Sequence, residues 1–169
     1  TNEEGTYAYE VEQGVDYTIT PKKNTHPLNG VTTFDLVLMQ KHILGLKTFD
    51  SPYKYIAADV NENERITVTD LAELQALVLG KRTTFFTAPS WKFIPADFPI
   101  SLPNPWANPI PSSISAVSDN ADFIAVKMGD VNFSATSGFH SENGATARDA
   151  FRFGVEDRLL EQGEVIEVP

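Results

Sequence analysis

Residues Asp59-Val60-Asn61-Glu62-Asn63-Glu64-Arg65-Ile66-Thr67-Val68-Thr69-Asp70 set Asp59, Asn61 and Asn63 at every second position. A curling backbone would turn all three side chains inward. Calcium, a hard cation, takes six to eight oxygens at about 2.3–2.6 Å from carboxylates, amides and backbone carbonyls. A twelve-residue loop can supply most of them. Asp59, Asn61 and Asn63 fill loop positions 1, 3 and 5, and the carbonyl of Arg65 serves position 7. Ile66 at position 8 is the apolar residue that ties such a loop to a neighbour. Thr67 at position 9 reaches the ion directly or through water, and Asp70 at position 12 closes the site from the following helix. Two departures lower the expected affinity. Glu64 stands at position 6, where glycine permits a sharp turn, and only Asp59 and Asp70 bring formal charge. The plainer alternative is an Asx-rich turn ahead of a capped helix.

The elements that must hold this loop come from a duplication. Sliding the chain by 35 positions lays Thr32 on Thr67, Asp35 on Asp70, Leu36 on Leu71, Gln40 on Gln75, Leu44 on Leu79 and Gly45 on Gly80. Each copy runs polar loop, Thr-x-x-Asp, apolar helical stretch, glycine. Leu71, Leu74, Leu77 and Val78 recur at helical spacing, which predicts helices over 34–44 and 69–79. Thr32 or Thr33 and Thr67 suit the N-caps, and Asp35 and Asp70 favour the positive end of each helix dipole. Gly45 and Gly80 stand where a left-handed residue ends a helix.

The first copy of the loop is degenerate. Counting back from Asp35 puts Asn24 at position 1, His26 at 3, Leu28 at 5, Asn29 at 6, Gly30 at 7 and Thr32 at 9. Leu28 cannot ligate, and neutral His26 is a poor calcium ligand. Either this copy survives only as a capped turn, or oxygens from elsewhere complete it. Gly129-Asp130-Val131-Asn132 is a candidate donor, because Asp-x-Asn repeats the pattern of Asp59-Val60-Asn61. A turn with no metal role is the alternative for that segment. The candidate second site is therefore Asn24, Asn29, Gly30, Thr32, Asp35, Asp130 and Asn132.

The segments AADVNENERITVTDLAELQALVLG and NGVTTFDLVLMQKHILG resemble the type I dockerin family. Each is a calcium loop running into a helix, with no helix before it (the F-hand), and the pair lies within residues 24–81. Aspartate at position 12 also matches the family. With a Pro- and aromatic-rich tail and a later KMGDVN, the chain is similar to dockerin-type repeats of large secreted bacterial surface proteins. The resemblance implies calcium as cofactor and an extracellular, secreted or cell-surface setting. Dockerins that bind a cohesin often carry Ser-Thr at loop positions 10 and 11. Thr33-Phe34 and Val68-Thr69 stand there in this chain, so cohesin docking is the alternative and not the first reading.

Around the helix pair the pattern changes. Tyr7, Tyr9 and Val11 alternate with Ala8, Glu10 and Glu12, and Tyr17 and Ile19 with Thr18 and Thr20, predicting two strands about a Gln13-Gly14 turn. Two strands are marginal alone, so 1–21 reads as the end of an upstream β-sandwich domain. Seven prolines from Pro89 to Pro111 forbid a long helix, while Trp91, Phe93, Phe98 and Trp106 argue against a disordered linker. This stretch is expected to wrap the helices, with Trp91 and Phe93 buried against them. Residues 121–132 read as a strand and turn, which closes a module over 22–132. Residues 133–149 have a linker's composition, and 150–169 alternate like the start of a downstream β-domain. The predicted fold class is thus α+β: a pair of calcium-loop/helix units in a Pro/aromatic wrap, flanked by strands of neighbouring β-sandwich domains.

Composition narrows the function. A net charge of −10 and a pI near 4.6 disfavour nucleic acid, whose phosphates need a basic surface. The chain has no cysteine for disulfides and no apolar run of the roughly 18 residues that span a membrane. His26, His42 and His140 lack zinc spacing, and no nucleophile elbow or phosphate loop is present. The expectation is a non-enzymatic, calcium-binding connector of a multidomain surface or adhesive protein. Its partners are the neighbouring domains of the same chain, with a cohesin-like protein or a polysaccharide as alternatives.

Overall fold

The computed structural model describes residues 17–116, 121–136 and 165–168. Its elements are β1 (Tyr17–Pro21), α1 (Thr33–Ile43), α2 (Pro52–Ala58), α3 (Val68–Val78), β2 (Trp91–Pro95), β3 (Ile114–Ala116), β4 (Phe123–Lys127) and β5 (Val165–Val168). The α+β class is as expected. Among the described residues no helix is long and apolar enough to cross a membrane.

The duplication is written into hydrogen bonds. Thr32 and Thr67 cap α1 and α3 in the same way, each reciprocated by the aspartate three residues on. At the other end Gly45 and Gly80 both take φ of +69°. Leu46 N–H then bonds Lys41 O at 2.9 Å, and Lys81 N–H bonds Ala76 O at 2.9 Å. These are Schellman motifs, and each satisfies carbonyls that the helix end would otherwise leave open.

Between the copies lies a helix that the sequence reading did not foresee. The F-hand pattern predicts no helix ahead of the Asp59 loop, yet Pro52 starts α2, which buries Ile56, Ala57 and Ala58 and delivers the chain to Asp59 as its C-cap. Proline suits a first helical turn because its missing N–H has no partner there anyway. Seven residues give too little periodicity to be seen.

Met39, Ile56, Val60, Leu74, Leu77, Phe85, Ile94, Val126, Met128 and Val131 form the core beneath the helices. β2 and β4 pair antiparallel, Phe93 opposite Ala125, and close one side of it. Trp106 and Ile110 of the proline-rich stretch are half-buried over the same core, so this segment does wrap the helices. An aromatic chain supports the wrap: His42 stacks on Phe49 at 4.3 Å, and Tyr55 sets an edge to Trp106 at 6.3 Å. His42 Nδ1 also accepts the Phe49 N–H at 3.1 Å, and burial lowers its pKa. Trp91 and Phe93 are buried as expected, but outside the helical core. Trp91 instead bridges backbone with Lys23 and takes the Lys23 ammonium 5.5 Å from its ring centre.

β1 is the central strand of a second sheet, antiparallel to β3 and parallel to β5. The sequence reading set the two chain ends in separate β-domains, whereas here β1 and β5 share a sheet. Alternation identifies strands but not their partners. The first strand of the predicted upstream hairpin, the linker beyond Thr136 and the start of the downstream hairpin lie outside the described residues.

Gly129 locks the end of β4 under the helices. Its N–H bonds Ala57 O at 2.7 Å, its φ is +86°, and a Cβ there would lie 2.7 Å from Leu74 Cδ1. Gly129→Ala should destabilise by about 2–3 kcal/mol, from left-handed strain plus overpacking. Gly45→Ala, with open space at its Cβ, should cost only the strain, about 1 kcal/mol. Urea unfolding of the two variants checks the difference.

Candidate metal centre

Asp59 ends α2 and Asp70 begins α3, so two separately anchored helices bring their carboxylates to one loop. Asp59 is 4% exposed and Asp70 is fully buried. Asp59 accepts the N–H of Asn63 at 3.0 Å on one oxygen and that of Glu64 at 2.9 Å on the other. Asp70 takes the Thr67 N–H at 2.9 Å and the Thr67 hydroxyl at 3.0 Å on Oδ2, and the Asn61 N–H at 3.4 Å on Oδ1. Asn61 Oδ1 accepts from Asn63 N–H and Asn63 Oδ1 from Arg65 N–H, each side chain turning back over the loop. Arg65 is exposed, and its part in the predicted set is its carbonyl alone.

The loop turns without glycine. Glu62 and Glu64 adopt φ of +56° and +63°, conformations that L-residues usually avoid. Glu62 is also an anchor that sequence reasoning missed: its carboxylate pairs with Lys92 of β2 at 2.8 Å. Lys92 lies 30 residues away, so no local spacing announced the pair.

Burial pushes the Asp59 carboxyl above its usual range, and the nearby Asp70 pushes it further, while the Asn63 and Glu64 N–H groups pull it down. The donors bonded to these two carboxylates are neutral N–H and O–H groups. Two buried anions with oxygen-bearing amides around them suit a hard cation, which would offset both desolvation and mutual repulsion. Among the described residues no three His, Cys, Asp or Glu side chains converge. The fit rests on two carboxylates with amide, hydroxyl and carbonyl oxygens.

The second candidate set divides. Asn24 leaves it: its Oδ1 accepts the Ser90 N–H at 2.8 Å. The reason is local, since His26 turns at φ +51° and Asn29 N–H closes back on His26 O. That turn uses up the chain which counting back had spread across positions 3 to 6. The other members come together. Asp35, fully buried, takes Thr32 N–H at 2.8 Å on Oδ2 and Val131 N–H at 3.0 Å on Oδ1. Asp130, 1% exposed, takes Ser134 N–H at 3.1 Å and Ala135 N–H at 2.7 Å. Asn29 exchanges hydrogen bonds with the backbone of Thr136. Burial raises the Asp130 pKa, and Asp35 adds to the rise.

Residues 29–79 match the family model for the dockerin type I domain. The helix pair is dockerin-like. The match spans about three tenths of the chain and includes Asp35 and the whole Asp59–Asp70 loop, but not the 129–136 segment that meets Asp35. No curated protein and no solved structure matches the chain.

Lys127 is a further buried charge. It is 4% exposed, and its ammonium donates to Pro27 O at 2.7 Å and Met128 O at 3.2 Å. Burial pushes its pKa from 10.5 down to about 8, against the pull of Asp130 and Asp35. Between those values the unfolded chain holds the proton and the folded one does not, so folding stability rises with pH there. In chelator, wild type should gain up to about 1.4 kcal/mol per pH unit over Lys127→Met across that window. Parallel stabilities of the two proteins from pH 8 to 10 would contradict this.

Proposed function

We propose that this chain is a calcium-stabilised, dockerin-like connector module of a secreted, multidomain surface or adhesive protein, with no catalytic role. The observation that carries the reading is the Asp59–Asp70 pair, buried and held by neutral donors in a loop whose other side chains at ligand positions are the amides of Asn61 and Asn63 and the hydroxyl of Thr67. The residues that would hold calcium are Asp59, Asn61, Asn63, Thr67, Asp70 and the carbonyl of Arg65. The ion would supply positive charge between α2 and α3, where the cysteine-free chain has no disulfide. Asp59 and Asp70 sit at the ends of these helices, so the chain's own part is to orient both carboxylates by backbone bonds and to shield them from water.

A second reading has one observation of its own. Phe34 and Val68, in the first turns of α1 and α3, are 56% and 67% exposed. They stand at the loop positions through which dockerins dock, which favours a protein partner such as a cohesin. Loss of cohesin capture on Phe34→Ser, with unchanged calcium binding, would mark the module as a docking one.

The calcium reading is tested by melting. Calcium at about 100 times its dissociation constant adds about 2.7 kcal/mol, so chelator should lower the Tm by roughly 10 °C. Asp70→Asn should remove the part of that shift which this loop supplies, and exposed Lys47→Ala should leave the shift unchanged. Superimposable melts with calcium and with chelator would reduce the loop to a capped turn. Glu62 is no neutral control here, because its loss also frees Lys92. Glu64→Gly should stabilise the module by about 1 kcal/mol by removing a left-handed side chain.

A further inference from the structure

We propose that a second calcium centre is assembled from two separate pieces of chain, Asp130–Ala135 supplying loop positions 1 to 6 and Gly30–Asp35 supplying positions 7 to 12. It rests on the calcium reading of the Asp59–Asp70 loop, whose geometry it reproduces.

The carboxylate bonds at positions 1 and 12 and the turn at position 4 recur. Asp59 accepts from the N–H groups four and five residues ahead, Asn63 and Glu64. Asp130 accepts from those of Ser134 and Ala135, at the same offsets. Position 4 is left-handed in both, Glu62 at φ +56° and Phe133 at +59°. Position 2 is a fully buried valine in both, Val60 and Val131. At position 12, Asp35 and Asp70 each give one oxygen to the capping threonine and the other to an N–H of the loop's opening residues, Val131 and Asn61. Val131 and Asp35 are 96 residues apart in sequence.

The seam shows how a broken loop is rejoined. In the contiguous loop a peptide bond joins positions 6 and 7. Here position 6 is Ala135 and position 7 is Gly30, and a Cβ on Gly30 would collide with the Ala135 backbone. Asn29 stitches across by bonding both N–H and C=O of Thr136. The Ser134 hydroxyl, at position 5, lies 2.9 Å from the Gly30 carbonyl, at position 7. Those are two oxygens that one ion would share.

The observation that points to a ligand is independent of this likeness. Asn132, at position 3, has its Oδ1 wholly buried with no hydrogen-bond partner among the described residues. A buried carbonyl oxygen left bare is costly, and a cation is the partner that its place in the loop calls for. Lys127 is the buried cation nearby. Its ammonium is spent on the Pro27 and Met128 carbonyls, so it adds charge at a distance and fills no ligand position. Ligands on the centre would be Asp130, Asn132, Ser134, the Gly30 carbonyl and Asp35. The ion would staple the segment after β4 to the start of α1.

Calcium stoichiometry of the 169-residue chain, by equilibrium dialysis, tests this. Wild type should bind two ions. Asp130→Asn, close to isosteric, should bind one, and Asp59→Asn should bind the other one. Asn132→Asp, which adds a carboxylate without removing a ligand, should tighten one of the two constants roughly tenfold, since ligand charge sets affinity in such loops. This variant does not depend on a weakened fold. A single ion that is lost in Asp59→Asn and unaffected by Asp130→Asn and Asn132→Asp would overturn the split centre and leave the Asp59–Asp70 reading standing. A single ion lost in Asp130→Asn and kept in Asp59→Asn would support the split centre and overturn the other reading.

Discussion

Two buried aspartates govern this structure. Asp35 and Asp70 each do two jobs with one carboxylate. One oxygen completes a capping box that starts a helix, and the other receives an N–H from a segment outside that helix. A carboxylate at the first turn is favoured by the helix dipole and by the backbone donors left open there. That local preference fixes where α1 and α3 begin. The second oxygen then fixes what approaches them: the loop from α2 in one case, the turn after β4 in the other. Local capping and long-range assembly are one interaction, which is why both helices start at equivalent positions in a chain whose loops have diverged.

Such an arrangement carries a large electrostatic debt. Asp35, Asp59, Asp70 and Asp130 are all buried, and burying an unpaired carboxylate costs several kcal/mol before any compensation. Backbone donors meet part of that cost. Two or more charge-assisted bonds per carboxylate hold Asp59, Asp70, Asp35 and Asp130 in place. Yet Asp59 and Asp130 still have raised pKa values, each increased by its partner aspartate. The neutral donors therefore orient these groups without fully stabilising their charge. A divalent ion at either pair would act on both carboxylates at once, in a chain with no cysteine.

The sequence made the helices, their caps and the contiguous loop legible, because all three are local. Thr-x-x-Asp and the closing glycines each encode a hydrogen-bond pattern within a few residues. What stayed hidden was either short or distant. α2 has two turns and no readable period. The tie between Glu62 and Lys92 and the exchange between Asn29 and Thr136 join residues 30 and 107 positions apart. The Asp-x-Asn step at 130–132 was visible as ligand grammar, but the count back to Asn24 was misled by assuming an unbroken chain. Ser134 carried a signal too, since Asp130, Asn132 and Ser134 alternate as Asp59, Asn61 and Asn63 do. Strand partners followed no local rule at all, and β1 finds β5 across nearly the whole chain.

The two loops differ most in what they join. Asp59–Asp70 links neighbours in sequence, α2 to α3, so closing it restrains a short stretch. The Asp130–Asp35 contact closes a span of almost a hundred residues, and entropy loss on closure grows only slowly with such length. A contact that pins distant segments therefore costs little more closure entropy than one between neighbours, while it fixes the place of a whole segment. Gly30 and Gly129 show how tightly the pieces are fitted: each lacks a side chain where another segment lies against its backbone, Ala135 in one case and Leu74 in the other. Glycine alone does not draw segments together; it only lets them approach. Attraction must come from the groups beside it, and these are the Val131 N–H on Asp35, the Ser134 hydroxyl on the Gly30 carbonyl and the exchange between Asn29 and Thr136. The β4 turn thus returns to the duplicated unit at the one loop that the duplication left incomplete, and the helix pair and the wrap around it are finished by the same contact.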